Sequence, residues 1–103
     1  MSEYNKWVET ELEGVMFYQY KLENGDKIIY SVNEYGLVDC FVIYIKEFGT
    51  VYKHSSEELS IMNMLYIAGG DDIEALRVIM TLTYKSVIGA DLSYLGRIIG
   101  DWD

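Results

Sequence analysis

The first apolar pattern along the chain has the period of a helix. Large apolar side chains recur at intervals of three or four residues, at Tyr4, Trp7, Val8 and Leu12. Ser2 is a favourable N-cap and Gly14 a favourable terminator, so the pattern predicts an amphipathic helix over residues 2–13. Glu11 does not fit this helix well, because its helical angle puts a carboxylate inside the apolar stripe, where an unpaired charge is costly to bury.

From residue 15 the apolar period changes to two, which predicts β-strands. Residues 15–22 and 27–32 flank the segment Glu23-Asn24-Gly25-Asp26. Asn-Gly is typical of a tight hairpin in which both turn positions have positive φ. A loop of these four residues sets a register in which Tyr18 lies opposite Ser31.

Two further runs extend the hairpin into a meander. Residues 37–46 are apolar on both faces of the predicted strand, as expected for a central strand covered on both sides. A turn containing Gly49 separates them from a short strand over residues 51–54. The sequence therefore predicts a four-stranded antiparallel β-meander.

The second half of the chain has helical patterns. Ser55 and Glu58 have the spacing of a capping box, and the helix that they open is expected to reach Ala68. A second helix is predicted over residues 71–88, ending at Gly89, with a third short helix after Asp91. The prediction is an α+β fold: an N-terminal helix, the meander, then two to three C-terminal helices packed on the sheet.

Length and composition restrict the class of protein. The 103 residues, half of them hydrophobic, predict a single compact domain over residues 1–103. Cys40 has no partner for an internal disulfide, and residues 1–4 do not resemble a secretory signal, so a reducing, cytoplasmic location is expected. The apolar stretch at 61–70 is interrupted by Asn63 and is too short to span a membrane.

The residues that could suggest catalysis or metal binding are better explained by structural roles. One histidine and one cysteine do not make a zinc site, so no metal or cofactor is predicted. Asp71 and Asp72 are better explained as carboxylates at a helix N-terminus than as cation ligands. His54 and Ser55 are neighbours in sequence, an arrangement that does not by itself make a catalytic pair. No catalytic residue is assigned, and the protein is expected not to be an enzyme.

Charge gives the strongest functional indication. Seventeen acidic residues against eight basic ones leave a formal net charge of −9. Such a surface repels nucleic acid and anionic membranes, while it accelerates association with a basic protein surface. The ten tyrosines offer rigid, amphipathic contact area of the kind found at binding hot spots.

These features predict an acidic binding protein that blocks a basic, nucleic-acid-handling partner, placing carboxylates where phosphates would lie. The carboxylates selected are Glu9, Glu11, Glu13, Asp71, Asp72, Asp101 and Asp103. The apolar anchors selected are Trp7, Tyr18 and Trp102. The biological class that fits is a phage or mobile-element anti-defence inhibitor, such as an anti-CRISPR or anti-restriction protein. Alternatives are an immunity protein or antitoxin against a nuclease toxin, a small ligand-binding or enzymatic domain, and a homo-oligomeric structural protein that buries an apolar sheet face or the N-terminal helix in a dimer.

Overall fold

The computed structural model describes the backbone of residues 3–93 and the side chains of residues 3–89. Within this part the fold is α+β, as predicted, with one antiparallel sheet and a C-terminal helix pair. The strands are β1 (Trp7–Leu12), β2 (Val15–Lys21), β3 (Lys27–Val32), β4 (Val38–Ile45) and β5 (Thr50–Lys53), and the helices are α1 (Ser56–Ala68) and α2 (Ile73–Ser93). The strands are hydrogen-bonded in sequence order, so the sheet is a simple meander. No helix in the described part is long and apolar enough to cross a membrane.

The predicted N-terminal helix is wrong, because residues 7–12 form β1 and the sheet has five strands instead of four. The cause is the turn that follows. Glu13 and Gly14 both have positive φ, at 52° and 81°, which makes a two-residue hairpin turn that pairs Leu12 with Val15. In a strand Glu11 shares a face with Trp7 at the edge of the sheet, so its carboxylate reaches solvent without crossing an apolar stripe.

The register of the β2–β3 hairpin also differs from the prediction, since Tyr18 lies opposite Tyr30 and not opposite Ser31. Only Gly25 of the Asn-Gly pair has positive φ, at 95°. The Gly25 N–H donates to the Leu22 carbonyl oxygen at 3.0 Å, which is the pattern of a normal β-turn followed by a glycine bulge. This shift by one residue moves Tyr18 onto the same face of the sheet as Tyr30.

Both helices pack on one face of the sheet, called here the core face. Its buried side chains, with those of the helices that cover them, are Ile28, Tyr30, Val38, Phe41, Ile43, Ile45, Met62, Leu76, Met80 and Tyr84. The opposite face, called here the open face, carries the alternate strand residues. Half-buried Val42 and Tyr44 lie on it, so β4 is covered on one side by the described helices, not on both as the sequence suggested.

The helices begin and end where local signals and packing agree. The capping box of α1 is confirmed: Ser55 Oγ accepts from the Glu58 N–H, and Glu58 accepts from the Ser55 N–H. Hydrogen bonds from the backbone N–H and the side chain of Ser55 to the Glu58 carboxylate lower the pKa of Glu58. Gly89 was predicted to end α2, yet the helix continues to Ser93. A single glycine costs a helix only about 1 kcal/mol relative to alanine, so it does not by itself end one.

Asp26, on the loop before β3, is one of two buried polar residues among those described. Its carboxylate accepts hydrogen bonds from the Tyr84 hydroxyl at 2.5 Å, the Lys46 N–H at 2.9 Å and the Asn24 side-chain amide at 3.0 Å. These contacts join the β2–β3 loop, the end of β4 and α2, which fixes the position of α2 across the sheet.

Asn63, which interrupts an apolar run in the sequence, attaches α1 to β4. Its Oδ1 accepts from the Val38 N–H at 2.8 Å, and its Nδ2 donates to the Val38 carbonyl oxygen at 2.9 Å. The Asn63→Ala variant leaves both backbone groups of Val38 without these partners. We expect its free energy of unfolding to fall by about 1–3 kcal/mol, measured by urea denaturation. The exposed Ser60→Ala variant on the same helix is the control, and equal losses in both would contradict this role.

Candidate functional site

Three connections meet at one end of the molecule: the β1–β2 turn, the β3–β4 loop and the segment between α1 and α2. The first two lie at the same end of the sheet because β1 to β4 are consecutive antiparallel strands. The contact between Asn63 and Val38, at the start of β4, shows that α1 runs toward this end. The connection over residues 69–72 therefore follows at the same end of the fold.

These connections and the adjoining strand and helix residues carry a group of carboxylates, called here the acidic end. Its members are Glu9, Glu11, Glu13, Glu34, Asp39, Asp71, Asp72 and Glu74. All eight side chains are exposed. Among the described residues, no lysine lies on the three connections.

Five of the carboxylates selected from the sequence belong to the acidic end. Glu9 and Glu11 are on the edge strand β1, and Glu13 is at the tip of its turn. Asp71 and Asp72 precede α2. Asp101, Asp103 and Trp102 lie outside the described residues. The contribution of each of these residues to binding stays a prediction.

Sequence reasoning missed three members of the acidic end, namely Glu34, Asp39 and Glu74. They are separated in sequence from the residues that were selected, and only the order of the strands brings them together. A signal was present in the meander pattern, because alternate turns of a meander lie at the same end of the sheet. Applying that rule to the turn that holds Glu34 would have placed it at the end of the sheet where the first predicted strand begins, close to Glu13.

Asp72 has a structural role within the acidic end. Its Oδ1 accepts from the N–H groups of Glu74 at 3.0 Å and Ala75 at 3.4 Å, so it caps the first turn of α2. Its negative charge lies at the positive end of the helix dipole. These contacts support the structural interpretation of Asp72. Its side chain is also exposed to solvent.

An aromatic cluster attaches the start of α2 to the sheet beside the acidic end. The Arg77 guanidinium carbon lies 5.1 Å from the ring centre of Trp7, 5.6 Å from that of Tyr18 and 6.0 Å from that of Tyr30. Its Nε donates to the Tyr30 hydroxyl oxygen at 3.0 Å, and its Nη1 lies 3.6 Å from Glu74 Oε1. Burial raises the pKa of Tyr30, an effect that the hydrogen bond and charge of Arg77 partly oppose.

Trp7 and Tyr18, selected as apolar anchors, are half-buried members of this cluster. Tyr18 stacks on Tyr30 with ring centres 4.8 Å apart, and Trp7 meets the edge of the same ring at 5.2 Å. Their exposed parts lie on the core face of β1 and β2, next to Glu9 and Glu11. Glu9 and Glu11 therefore lie beside the exposed parts of these two aromatic side chains.

The basic residues are concentrated at the other end of the sheet. An open cleft of about 300 Å³ there is lined by Lys21, Lys27 and Lys46, together with Tyr44 and Asp26. The Lys27 Nζ lies 5.9 Å from the ring centre of Tyr44. The charge of the described part is thus polarised along the strands, with carboxylates at one end and lysines mixed with carboxylates at the other.

The residues considered for catalysis have structural partners. His54 Nδ1 lies 3.1 Å from the Phe41 carbonyl oxygen, and its ring stacks on Phe41 at 4.1 Å. Ser55 Oγ is part of the capping box. No group of three or more metal-ligating side chains is found among the described residues.

No family model, no curated protein and no solved structure matches this chain.

Proposed function

We propose that this protein is a non-enzymatic inhibitor that uses its acidic end to occupy a basic surface on a nucleic-acid-handling protein. The observation that supports this most is the concentration of eight exposed carboxylates on and beside three adjacent connections. A group of exposed carboxylates attracts lysines and arginines, and a groove that binds nucleic acid is the kind of protein surface that carries them.

The chemistry of the target follows from the surface. The partner presents lysines and arginines, and the exposed parts of Trp7 and Tyr18 add amphipathic contact area beside the carboxylates. Two biological settings share this chemistry: a phage or mobile-element protein that inhibits a CRISPR or restriction enzyme, and an immunity protein that neutralises a nuclease toxin. Both predict competition with nucleic acid for the same groove.

The test compares two triple variants with the same change of net charge. The E9K/E11K/E13K variant reverses charge at the acidic end, and the E23K/E47K/E57K variant reverses three exposed carboxylates elsewhere. Each protein is immobilised, and basic nucleic-acid-handling proteins from a bacterial lysate are captured and identified. Affinity for the captured partner is then measured at two salt concentrations, with and without duplex DNA as a competitor.

We expect the acidic-end variant to lose about tenfold or more in affinity, since three exposed pairs at about 0.5–1 kcal/mol each add to about 1.5–3 kcal/mol. The variant altered elsewhere is expected to change by much less. DNA should compete, and affinity should fall as salt increases. Equal losses in the two variants would mean that only net charge matters, and failure of DNA to compete would contradict the proposed target.

A further inference from the structure

The open face of the sheet is unusually apolar for a surface that no described element covers. Fifteen strand residues point to it, and nine of them are apolar: Val8, Leu12, Val15, Phe17, Ile29, Cys40, Val42, Tyr44 and Val51. The core of the described part includes none of these nine side chains. Exposed fractions reach 60% at Leu12 and 58% at Val51. The solvated face of an antiparallel sheet ordinarily carries mostly polar residues. This face therefore has the composition of an interface.

Charge on the open face is distributed differently from charge on the rest of the protein. Three of the fifteen positions are lysines, Lys21, Lys27 and Lys53, and none is a carboxylate. Two carboxylates from outside these positions lie beside the face. At a bulge in β4 the Ser31 hydroxyl donates to Asp39 Oδ1 at 2.9 Å, and Glu3 lines the cleft that holds Lys21 and Lys27. Lys21 and Lys27 lie at one end of the strands, and Asp39 lies at the other end.

We infer that a second copy of this chain covers the open face, forming a two-fold symmetric dimer with strands antiparallel across the interface. In this orientation the Lys21 and Lys27 end of each copy lies over the Asp39 end of the other. Each contact occurs twice, as two-fold symmetry requires. The other two-fold orientation, with the axis along the strands, places Lys27 of one copy against Lys27 of the other and is disfavoured by repulsion.

The size of the face is close to that of a small stable interface. Five strands about 4.8 Å apart and four rows of side chains about 6.8 Å apart cover roughly 25 by 20 Å, so a dimer buries about 1,000 Å² over both copies. Two sheets packed face to face in this way form a sandwich with an apolar interior. The dimer covers Asp39 of the acidic end but leaves Glu9, Glu11 and the start of α2 exposed, because these lie on the core-face side.

Sedimentation equilibrium of the full chain over about a hundredfold concentration range tests for the dimer. The matched variants are Leu12→Lys on the open face and Leu82→Lys on α2, where the exposed fractions are 60% and 58%. We expect Leu12→Lys to weaken dimerisation about tenfold or more, since each 1.4 kcal/mol is tenfold. Leu82→Lys should change it less than twofold. A monomer at every concentration, or equal effects of the two variants, would overturn the inference.

A charge swap tests the antiparallel orientation. Within one copy Lys27 and Asp39 are far apart, since Lys27 pairs with Tyr44 and five residues of strand separate Tyr44 from Asp39, about 17 Å. The K27E variant is expected to weaken the dimer about fivefold to tenfold, and K27E/D39K is expected to restore most of that loss. Circular dichroism confirms that each variant is folded. A double variant that dimerises no better than K27E would overturn the antiparallel arrangement.

Discussion

The Asp26→Ala variant is expected to lower the free energy of unfolding by about 3 kcal/mol, because it leaves three donors without their acceptor. The carboxylate of Asp26 is 4% exposed, and the hydroxyl of Tyr84 reaches it from α2. The Lys46 N–H and the Asn24 side chain are the other donors. No other single side chain described here joins the β2–β3 loop, the end of β4 and α2. Urea denaturation of the variant measures the loss.

The Tyr84→Phe variant isolates one of these hydrogen bonds. Burial, and then the hydrogen bond to Asp26, raise the pKa of Tyr84 from 10.0 to about 12. A group whose pKa is higher in the folded state contributes stability below its unfolded pKa, and that contribution is lost as pH rises through the folded value. Wild-type protein should therefore lose stability between about pH 10 and pH 12.

Tyr84→Phe should be less stable by about 1–2 kcal/mol at neutral pH and should lose less stability in the alkaline range. The variant is still expected to lose some stability at alkaline pH, because burial also raises the pKa of Tyr30. The Tyr35→Phe variant, at a side chain that is 79% exposed, is the control. An unchanged alkaline loss in Tyr84→Phe would contradict the role assigned to this hydroxyl.

The strands and helices between residues 15 and 88 could be predicted from local patterns. Alternating apolar residues identified β2, β3 and β4, and the spacing of Ser55 and Glu58 identified the start of α1. The N-terminal segment was wrong because the four apolar positions between residues 4 and 12 fit a helical period by coincidence. The decisive signal was Glu13-Gly14, a turn that is hard to recognise because glutamate seldom adopts positive φ.

The register of the hairpin depended on a side chain and not on the apolar pattern. Asn24 Oδ1 accepts from the Asp26 N–H at 2.9 Å, which closes a local turn and leaves only Gly25 at positive φ. The Asn-Gly signal gives the position of a turn but does not determine its type. A one-residue difference then decides which tyrosines reach the core face, and so the cluster around Arg77 could not be predicted.

The candidate site depends on the fold in the same way. Sequence reasoning selected Glu9, Glu11, Glu13, Asp71 and Asp72 as carboxylates of an acidic surface, with no argument that placed them together. These residues lie at the same end of the molecule because the sheet is an antiparallel meander and because the contact of Asn63 with Val38 sets the direction of α1. Net charge predicted that an acidic surface exists, and topology determines where it is concentrated.

Arg77 connects the stability of the fold with the position of the acidic end. It is one of the side chains that hold the first turns of α2, and with them Asp72 and Glu74, against Trp7 and Tyr30 on the sheet. Desolvated cation–π contacts contribute up to about 2 kcal/mol, and a hydrogen bond from a charged donor contributes about 1.5–3 kcal/mol. Because these contributions overlap at one guanidinium, we expect Arg77→Ala to lower the free energy of unfolding by about 2–4 kcal/mol.

A second readout distinguishes this role from a loss of packing alone. The hydrogen bond and the positive charge of Arg77 both lower the pKa of Tyr30, so Arg77→Ala should raise that pKa further. Ultraviolet titration of tyrosine ionisation, with Tyr30→Phe to assign the signal, measures the change. Arg77→Lys retains the charge but not the planar stacking group, so we expect a stability between those of wild type and Arg77→Ala. If Arg77→Ala unfolds at the same urea concentration as wild type, α2 is attached to the sheet by its apolar contacts and not by this arginine.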